Sequence, residues 1–367
     1  MKEEDNGSKG RDSEALVNKF CSKLFLDYWT FHNPVKDDNK ELCDCLIVFH
    51  GAIIIISVKN CRGTKVERRW FNRAIYDSKR QIDGAERYIA SGAVIRTADG
   101  KTITVPKSNK AVIVRIGIAF GHDDSFRPID NVVEETDGKF YHWFDDKSFA
   151  MVFSYVVTFC DFIRYLGHRE SYYCDNSDKN KLNDYGLLAL HLDKELLILL
   201  KDYDDMENAS HKVWQAFLSS ECCSFLLEHI QKNEYYCYMI SEAFRELLDS
   251  HNDMPLAEMI LGEFTTLPLK SRCVFIDKFM KLNKSEEQFC DYLEVSCPAN
   301  NKRKGIVLLV DGDPIEDDYS EERRMRQNKL AFFCNSLCNS NHWDGCIGFA
   351  TNKHREGFGS SADYCIV

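Results

Sequence analysis

Lys40-Glu41-Leu42-Cys43-Asp44-Cys45-Leu46-Ile47-Val48-Phe49-His50-Gly51-Ala52-Ile53-Ile54-Ile55-Ile56-Ser57-Val58-Lys59 is the stretch that decides the fold. Two strongly apolar runs flank a tight His50-Gly51 turn, the pattern of a β-hairpin at the centre of a sheet. With a two-residue turn Phe49 pairs with Ala52. Counting back along the ladder then sets Asp44 opposite Ser57, with Lys59 two residues further on the same face. An odd loop would send Asp44 and Ser57 to opposite faces, so the reading rests on an even one. On the even register three polar side chains converge at one end of an apolar surface. A carboxylate and an ammonium lose hydration there unless paired or bound to a metal, an arrangement suited to metal-dependent phosphodiester hydrolysis. The bland alternative is an ion pair that merely punctuates the strand ends.

Outward from the hairpin, the pattern before it predicts an amphipathic helix over Asp12 to Trp29, with Ser13 as its cap and Glu14 in its first turn. After it, Lys59, Arg62, Lys65, Arg68, Arg69, Arg73, Lys79 and Arg80 face only Glu67 and Asp77, in a chain of formal charge -11. Such a basic island on an acidic protein attracts phosphates to one place; a solvated helix face is the plainer reading of any basic run. Phe71, Ile75, Ser78, Ile82, Ala85 and Ile89 recur at helical spacing and predict a helix with one buried stripe. Ala74, Ser78, Gln81, Ala85 and Tyr88 form a second row on its flank. Trp70 is read as packing rather than as a base-stacking platform. A strand over Ala111 to Phe120 follows the turns around Asp99-Gly100 and Pro106.

This order of helix, hairpin, basic helix and strand resembles the core of the PD-(D/E)xK nuclease superfamily, the restriction-endonuclease-like fold, over about the first 120 residues. The resemblance implies an α/β architecture: a mixed sheet flanked by helices. It puts Asp44 in the place of the first metal-binding Asp and Lys59 in that of the Lys that activates water or stabilises the phosphorane. Ser57 stands where the second acid belongs, and a hydroxyl is a poor substitute for a carboxylate at a hard cation. Two carboxylates are candidates to replace it. Glu14 is one, because junction-resolving and exonuclease branches place a metal-binding Glu in the first helix; Glu41, three residues before Asp44, is the other. Gln81 resembles the Gln that the RecB-like branch keeps near the metal, with Tyr88 at a longer spacing than usual.

The implied cofactor is Mg²⁺ or Mn²⁺, and the implied substrate is nucleic acid, DNA before RNA, with endonucleolytic cleavage favoured. The basic residues from Arg62 to Arg80 become candidate nucleic-acid contacts. Bacterial proteins resembling this hairpin include defence-associated nucleases, which implies an antiviral role, as a homo-oligomer or with a defence-system partner. The alternative, prompted by Ser57, is a catalytically inactive nucleic-acid-binding or regulatory protein on the same fold.

The chain has 367 residues, 44% of them hydrophobic, enough for two or three cores. The expected division is a nuclease-like domain over 1–146, a mainly helical domain over 147–299 and a small C-terminal α/β unit over 300–367. No apolar run approaches a membrane span and the polar start has no signal-peptide core, so a cytoplasmic protein is expected. Sixteen cysteines are then reduced thiols, many acting as small hydrophobes. Asp123 to Lys147 reads as polar and turn-rich, Ser148 to Leu166 as one long helix, and Leu187–Leu200, His211–Gln231, Tyr235–His251 and Leu256–Leu261 as further helices. Strand Gly305–Val310, helix Glu321–Leu337 and strand Cys346–Thr351 make a βαβ-like unit. Asp311-Gly312-Asp313-Pro314 reads as turn chemistry rather than a cation site. Cys334, Cys338, His342 and Cys346 have residue types that bind zinc, but two of them sit in a helix instead of on knuckle-like turns. No phosphate-binding glycine loop and no HExxH is present.

Overall fold

The computed structural model describes residues 4–25, 27–49, 51–60, 68–106, 111–121, 133–175, 182–200, 206–249, 254–285, 288–297, 302–310, 321–352 and 362–367. The chain forms two compact units, residues 1–227 and 228–367.

In the first unit the order is α1 (Glu4–Phe25), a 3-10 turn (Asp27–Trp29), β1 (Thr30–His32), β2 (Cys45–Phe49), β3 (Ala52–Asn60), α2 (Arg68–Ala90), β4 (Ile95–Arg96) and β5 (Thr102–Ile103). It continues with β6 (Val112–Phe120), β7 (Val133–Thr136), β8 (Lys139–Asp145), α3 (Asp146–Tyr155), α4 (Phe159–Asp175), α5 (Asp184–Leu192), a 3-10 stretch (Lys194–Leu200) and α6 (Met206–Leu218). Six strands make one mixed sheet in the order β1-β2-β3-β6-β8-β7. The hairpin register is the even one: Phe49 pairs with Ala52 and Cys45 with Ile56, so Asp44 shares a face with Ser57. β3 then runs parallel to β6, and β6 parallel to β8, which places the apolar hairpin at the sheet's centre.

Helices cover both faces, which is why the hairpin shows apolar runs instead of alternation. Ile53, Ile55 and Leu46 pack under Ile82, Ala85 and Ile89 of α2. On the other face Trp29 meets Phe49 edge-on at 4.5 Å, and Phe20 of α1 meets Phe149 of α3 at 5.7 Å. Gly117, the β6 partner of Ser57, also pairs with Trp143. A Cβ there would lie 2.2 Å from Trp143 Cζ3, so the missing side chain lets the indole lie flat across β6, with Ser78 Cβ the next neighbour at 3.5 Å.

Several expectations are corrected. α1 begins at Glu4, so Ser13 is not a cap; it sits buried within the helix and accepts a 2.5 Å hydrogen bond from Asn60 Nδ2. The stretch read as turn-rich contains the β7–β8 hairpin. Asp137 and Gly138, at φ 52 and 71, form its turn, while Tyr141 and Trp143 fill one face and His142 and Phe144 the other. The single long helix is two, because Thr158 caps α4: its Oγ1 accepts from the Asp161 N–H and donates to the Asp161 carboxylate. Leu187–Leu200 likewise divides at Asp193 into α5 and the 3-10 stretch.

The second unit follows from the later part of α7 (Glu221–Asp249) through α8 (Met254–Thr265), α9 (Leu269–Lys284), β9 (Cys290–Cys297), β10 (Lys302–Val310), α10 (Glu321–Asn341), β11 (Gly345–Thr351) and β12 (Ala362–Ile366). Its sheet order is β12-β11-β10-β9. β10 and β11 are parallel across α10, the expected βαβ unit, and the antiparallel edges β9 and β12 extend it. Asp311 to Pro314 lie outside the described residues. No described helix is long and apolar enough to cross a membrane.

Candidate active site

The hairpin's open end gathers its polar groups under α2. Asp44 is 7% exposed, and its Oδ2 accepts a 2.6 Å hydrogen bond from the Val58 N–H while lying 3.7 Å from Lys59 Nζ. Lys59 keeps 27% of its side chain exposed, so the ammonium sits at the lip of the site with its stem inside. Gln81 of α2 connects the parts. Its Oε1 accepts from Lys59 Nζ at 2.5 Å and from Ser57 Oγ at 2.8 Å, and its Nε2 donates to Glu41 Oε1 at 3.4 Å. Ser57 is fully buried and also lies 3.2 Å from Ser78 Oγ. Its hydroxyl is thus turned to α2 and serves to orient Gln81.

Of the two acids offered as substitutes for the one missing at Ser57, Glu41 lies beside Asp44 and Glu14 is close enough for its charge to act on Glu41. Glu41 touches Asp44, and its carboxyl is pushed up from an ordinary 4.5 to about 7, first by partial burial, then by the charge and hydrogen bond of Asp44 and the charge of Glu14. Glu14 comes from α1, and its Oε2 accepts from Asn33 Nδ2 at 3.5 Å. Asn33 is a residue that sequence reasoning missed. It occupies the left-handed region at φ 44 just before Pro34 and donates its backbone N–H to Asp44 O at 3.1 Å. Asn tolerates that conformation better than most residues, and the Asn-Pro pair was the available signal.

The donor set fits a hard divalent cation by charge, since Asp44 and Glu41 lie beside one ammonium, with the Glu14 charge also felt at Glu41. Among the described residues no three His, Cys, Asp or Glu side chains are close enough to hold an ion by themselves. From the described residues an ion here would take at most two carboxylates, and water and phosphate oxygens suit the rest of its shell, the habit of Mg²⁺.

The other candidates scatter. Arg73 and Arg80 are exposed on α2, Arg73 beside Asp77 at 3.6 Å. Lys79 is engaged elsewhere: it pairs with Glu134, donates to Thr136 Oγ1 at 2.8 Å and lies over the Tyr141 ring. Arg68 and Arg69 open α2, and Arg62 and Lys65 lie outside the described residues. Tyr88 is turned from the site, donating to Asp37 Oδ1 and accepting from the Asp37 N–H. The zinc reading of Cys334, Cys338, His342 and Cys346 has no metal-holding group behind it among the described residues; Cys338 Sγ instead donates to Trp343 O.

Glu41 gives a pH test. Its folded pKa is raised, so the folded state holds more protons than the unfolded one between about pH 4.5 and 7; the stability it contributes is present below 4.5 and lost as pH rises through 7. Glu41→Gln is expected to flatten that part of the melting-temperature profile, read by scanning fluorimetry. Mg²⁺ or Mn²⁺ is expected to restore stability to the wild type above pH 7. Identical pH profiles for the two proteins would refute the assignment.

The family model of the nuclease-related domain, NERD, matches residues 9–100, a span that contains Glu14, Asn33, Glu41, Asp44, Ser57, Lys59 and Gln81. No curated protein matches the chain.

Proposed function

We propose, from the premise that residues 9–100 are a nuclease-related domain of the PD-(D/E)xK superfamily, that this chain hydrolyses the phosphodiester bonds of nucleic acid with a divalent cation. The observation that carries the reading is the join of Asp44, Lys59 and Gln81. A buried carboxylate and a partly exposed ammonium are held 3.7 Å apart at the end of the central hairpin, and the Gln81 side-chain amide of α2 fixes the ammonium.

Roles follow from what each group can do. A divalent ion held by Asp44 with Glu41 or Glu14 would supply Lewis acidity and a water of lowered pKa. Asp44 is fixed for this by the Val58 N–H, so its carboxylate needs little reorganisation. Lys59, steered by Gln81 and open to solvent, meets the phosphate and offsets the negative charge that builds as water adds. Ser57 keeps Gln81 in register from below, its buried hydroxyl donating to the same amide oxygen that takes Lys59 Nζ. Arg73 and Arg80 on the open face of α2 draw the polyanion toward the site. DNA is the favoured polymer and internal cleavage the favoured mode.

The absence of a three-carboxylate group among the described residues favours one competitor, an inert nucleic-acid binder. The experiment incubates the full chain with supercoiled plasmid, single-stranded DNA and RNA in Mg²⁺, Mn²⁺ or EDTA. Metal-dependent nicking of plasmid is expected. Binding without cleavage of any polymer, in either metal, would overturn the proposal for the binder, and cleavage of RNA alone would overturn the DNA assignment.

A further inference from the structure

The second unit brings three thiols to one place in its core, Cys334 from α10, Cys346 from β11 and Cys365 from β12. Gly348 makes the meeting possible. A Cβ on it would lie 2.6 Å from Cys334 Sγ and 2.7 Å from Leu330 Cδ1, so the Cys334 thiol descends into the space a side chain would fill. Cys365 is the register partner of Gly348 on the neighbouring strand, and Cys346 stands two residues before it on the same face. Cys334 is within hydrogen-bonding reach of both.

The thiols differ in access and in acidity. Cys334 and Cys346 are 0% and 1% exposed, whereas Cys365 is only half-buried. A hydrogen bond from Cys334 lowers the Cys365 thiol from its ordinary range, against the opposing effect of partial burial. Contacts with Cys346 and Cys365, and then burial, push Cys334 up, as befits the partner that keeps its proton. A half-exposed thiol backed by a fully buried one is the arrangement of an attacking and a resolving cysteine.

We propose that Cys365 and Cys334 form a hydroperoxide-sensitive dithiol, with Cys365 attacking and Cys334 resolving. In the first step the Cys365 sulfur takes the terminal OH of the hydroperoxide as the O–O bond breaks, giving a sulfenic acid, and the alkoxide leaves to take a proton from water. In the second step the Cys334 sulfur attacks the sulfenic sulfur: the S–S bond forms, the S–O bond breaks, and the hydroxyl leaves with the Cys334 proton as water. Two thiols are oxidised and one peroxide is reduced; a dithiol reductant reverses the change. The product staples α10 to the edge strand β12, whose Asp363 already accepts from Arg323 and Arg326 of that helix. The inference is independent of the nuclease reading.

The test treats the full, folded chain with dilute hydrogen peroxide, alkylates the remaining thiols and maps peptides by mass. A Cys334–Cys365 crosslink that dithiothreitol removes is expected, and this mapping needs no variant. Cys334→Ser is expected to accumulate a dimedone-reactive sulfenic acid on Cys365, Cys365→Ser to slow oxidation of the cluster by about tenfold or more, and Cys346→Ser to behave as wild type. The proposal fails if the three thiols survive peroxide in the folded chain, as small core hydrophobes would. It fails equally if the crosslink joins another pair, or if Cys365→Ser oxidises at the wild-type rate.

Discussion

Asp44→Asn is expected to lower cleavage by about a thousandfold, and Lys59→Met by about a hundredfold or more, with the fold intact in each case. The magnitudes follow from what is removed. Single preorganised electrostatic groups at developing charge contribute roughly 10²–10³ in rate, and loss of a metal-binding carboxylate also weakens the ion's occupancy. Asn keeps the shape of Asp and can still accept from the Val58 N–H, so the local backbone does not need to move. Met keeps the stem of Lys59 without the charge, and Gln81 retains its bonds to Ser57 and Glu41. Initial rates of plasmid nicking at one fixed Mg²⁺ concentration that suffices for the wild type, beside melting curves, measure both effects. Raised Mg²⁺ is expected to rescue Asp44→Asn in part and Lys59→Met hardly at all, because in the proposed roles only the first acts through the ion. Wild-type rates in both variants would put the chemistry somewhere other than this hairpin.

That prediction could be framed from the sequence because the hairpin's geometry is over-determined. A two-residue turn, two apolar runs and a period of two leave one register, and Asp44, Ser57 and Lys59 fall on one face as a consequence. Gln81 was legible for a related reason, since the stripe of α2 fixes which flank faces β3. Elsewhere the local pattern carried less. The polar start of α1 has no apolar periodicity, so the helix beginning at Glu4 could not be seen and Ser13 looked like a cap. β7 and β8 were hidden by the turn residues Asp137-Gly138 and by burial on both sides of β8, which hides the strand alternation. The thiols at Cys334 and Cys346 suggested metal spacing, yet their third partner, Cys365, comes from β12, a strand not read from the sequence, across from a glycine whose role is to be empty. Contacts between residues far apart in sequence decide such features, and a single sequence records only their ends.

Asp184→Asn is expected to destabilise the first unit by about 3–5 kcal/mol, the cost of leaving a buried charge without its partner. Arg169 of α4 and Asp184 in the first turn of α5 are 0% and 4% exposed, joined by two bonds of 2.9 Å. The guanidinium also donates to Trp143 O at 2.9 Å and lies 3.9 Å from the Phe144 ring centroid, so it cannot turn to water without leaving the core. Its Nη1 lies 3.3 Å from His142 Nδ1, and because guanidinium can only donate, His142 accepts there and carries its proton on Nε2 toward Glu170 Oε1 at 3.1 Å. Burial holds His142 down to about 4, which keeps the ring neutral and the network consistent through physiological pH. A neutral amide at 184 keeps one acceptor but loses the charge that balances Arg169. Glu134→Gln gives the contrast: it breaks the pair with Lys79, whose side chains are 23% and 33% exposed, and is expected to cost under about 1 kcal/mol. Urea unfolding followed by tryptophan fluorescence reads both, Trp143 lying in the affected strand. The double change Arg169→Met with Asp184→Leu should recover most of the loss, since it removes both charges and leaves no uncompensated ion in the core. Equal small costs for the two single variants would mean that water reaches Arg169 and that the network is not what anchors β8 beside the site.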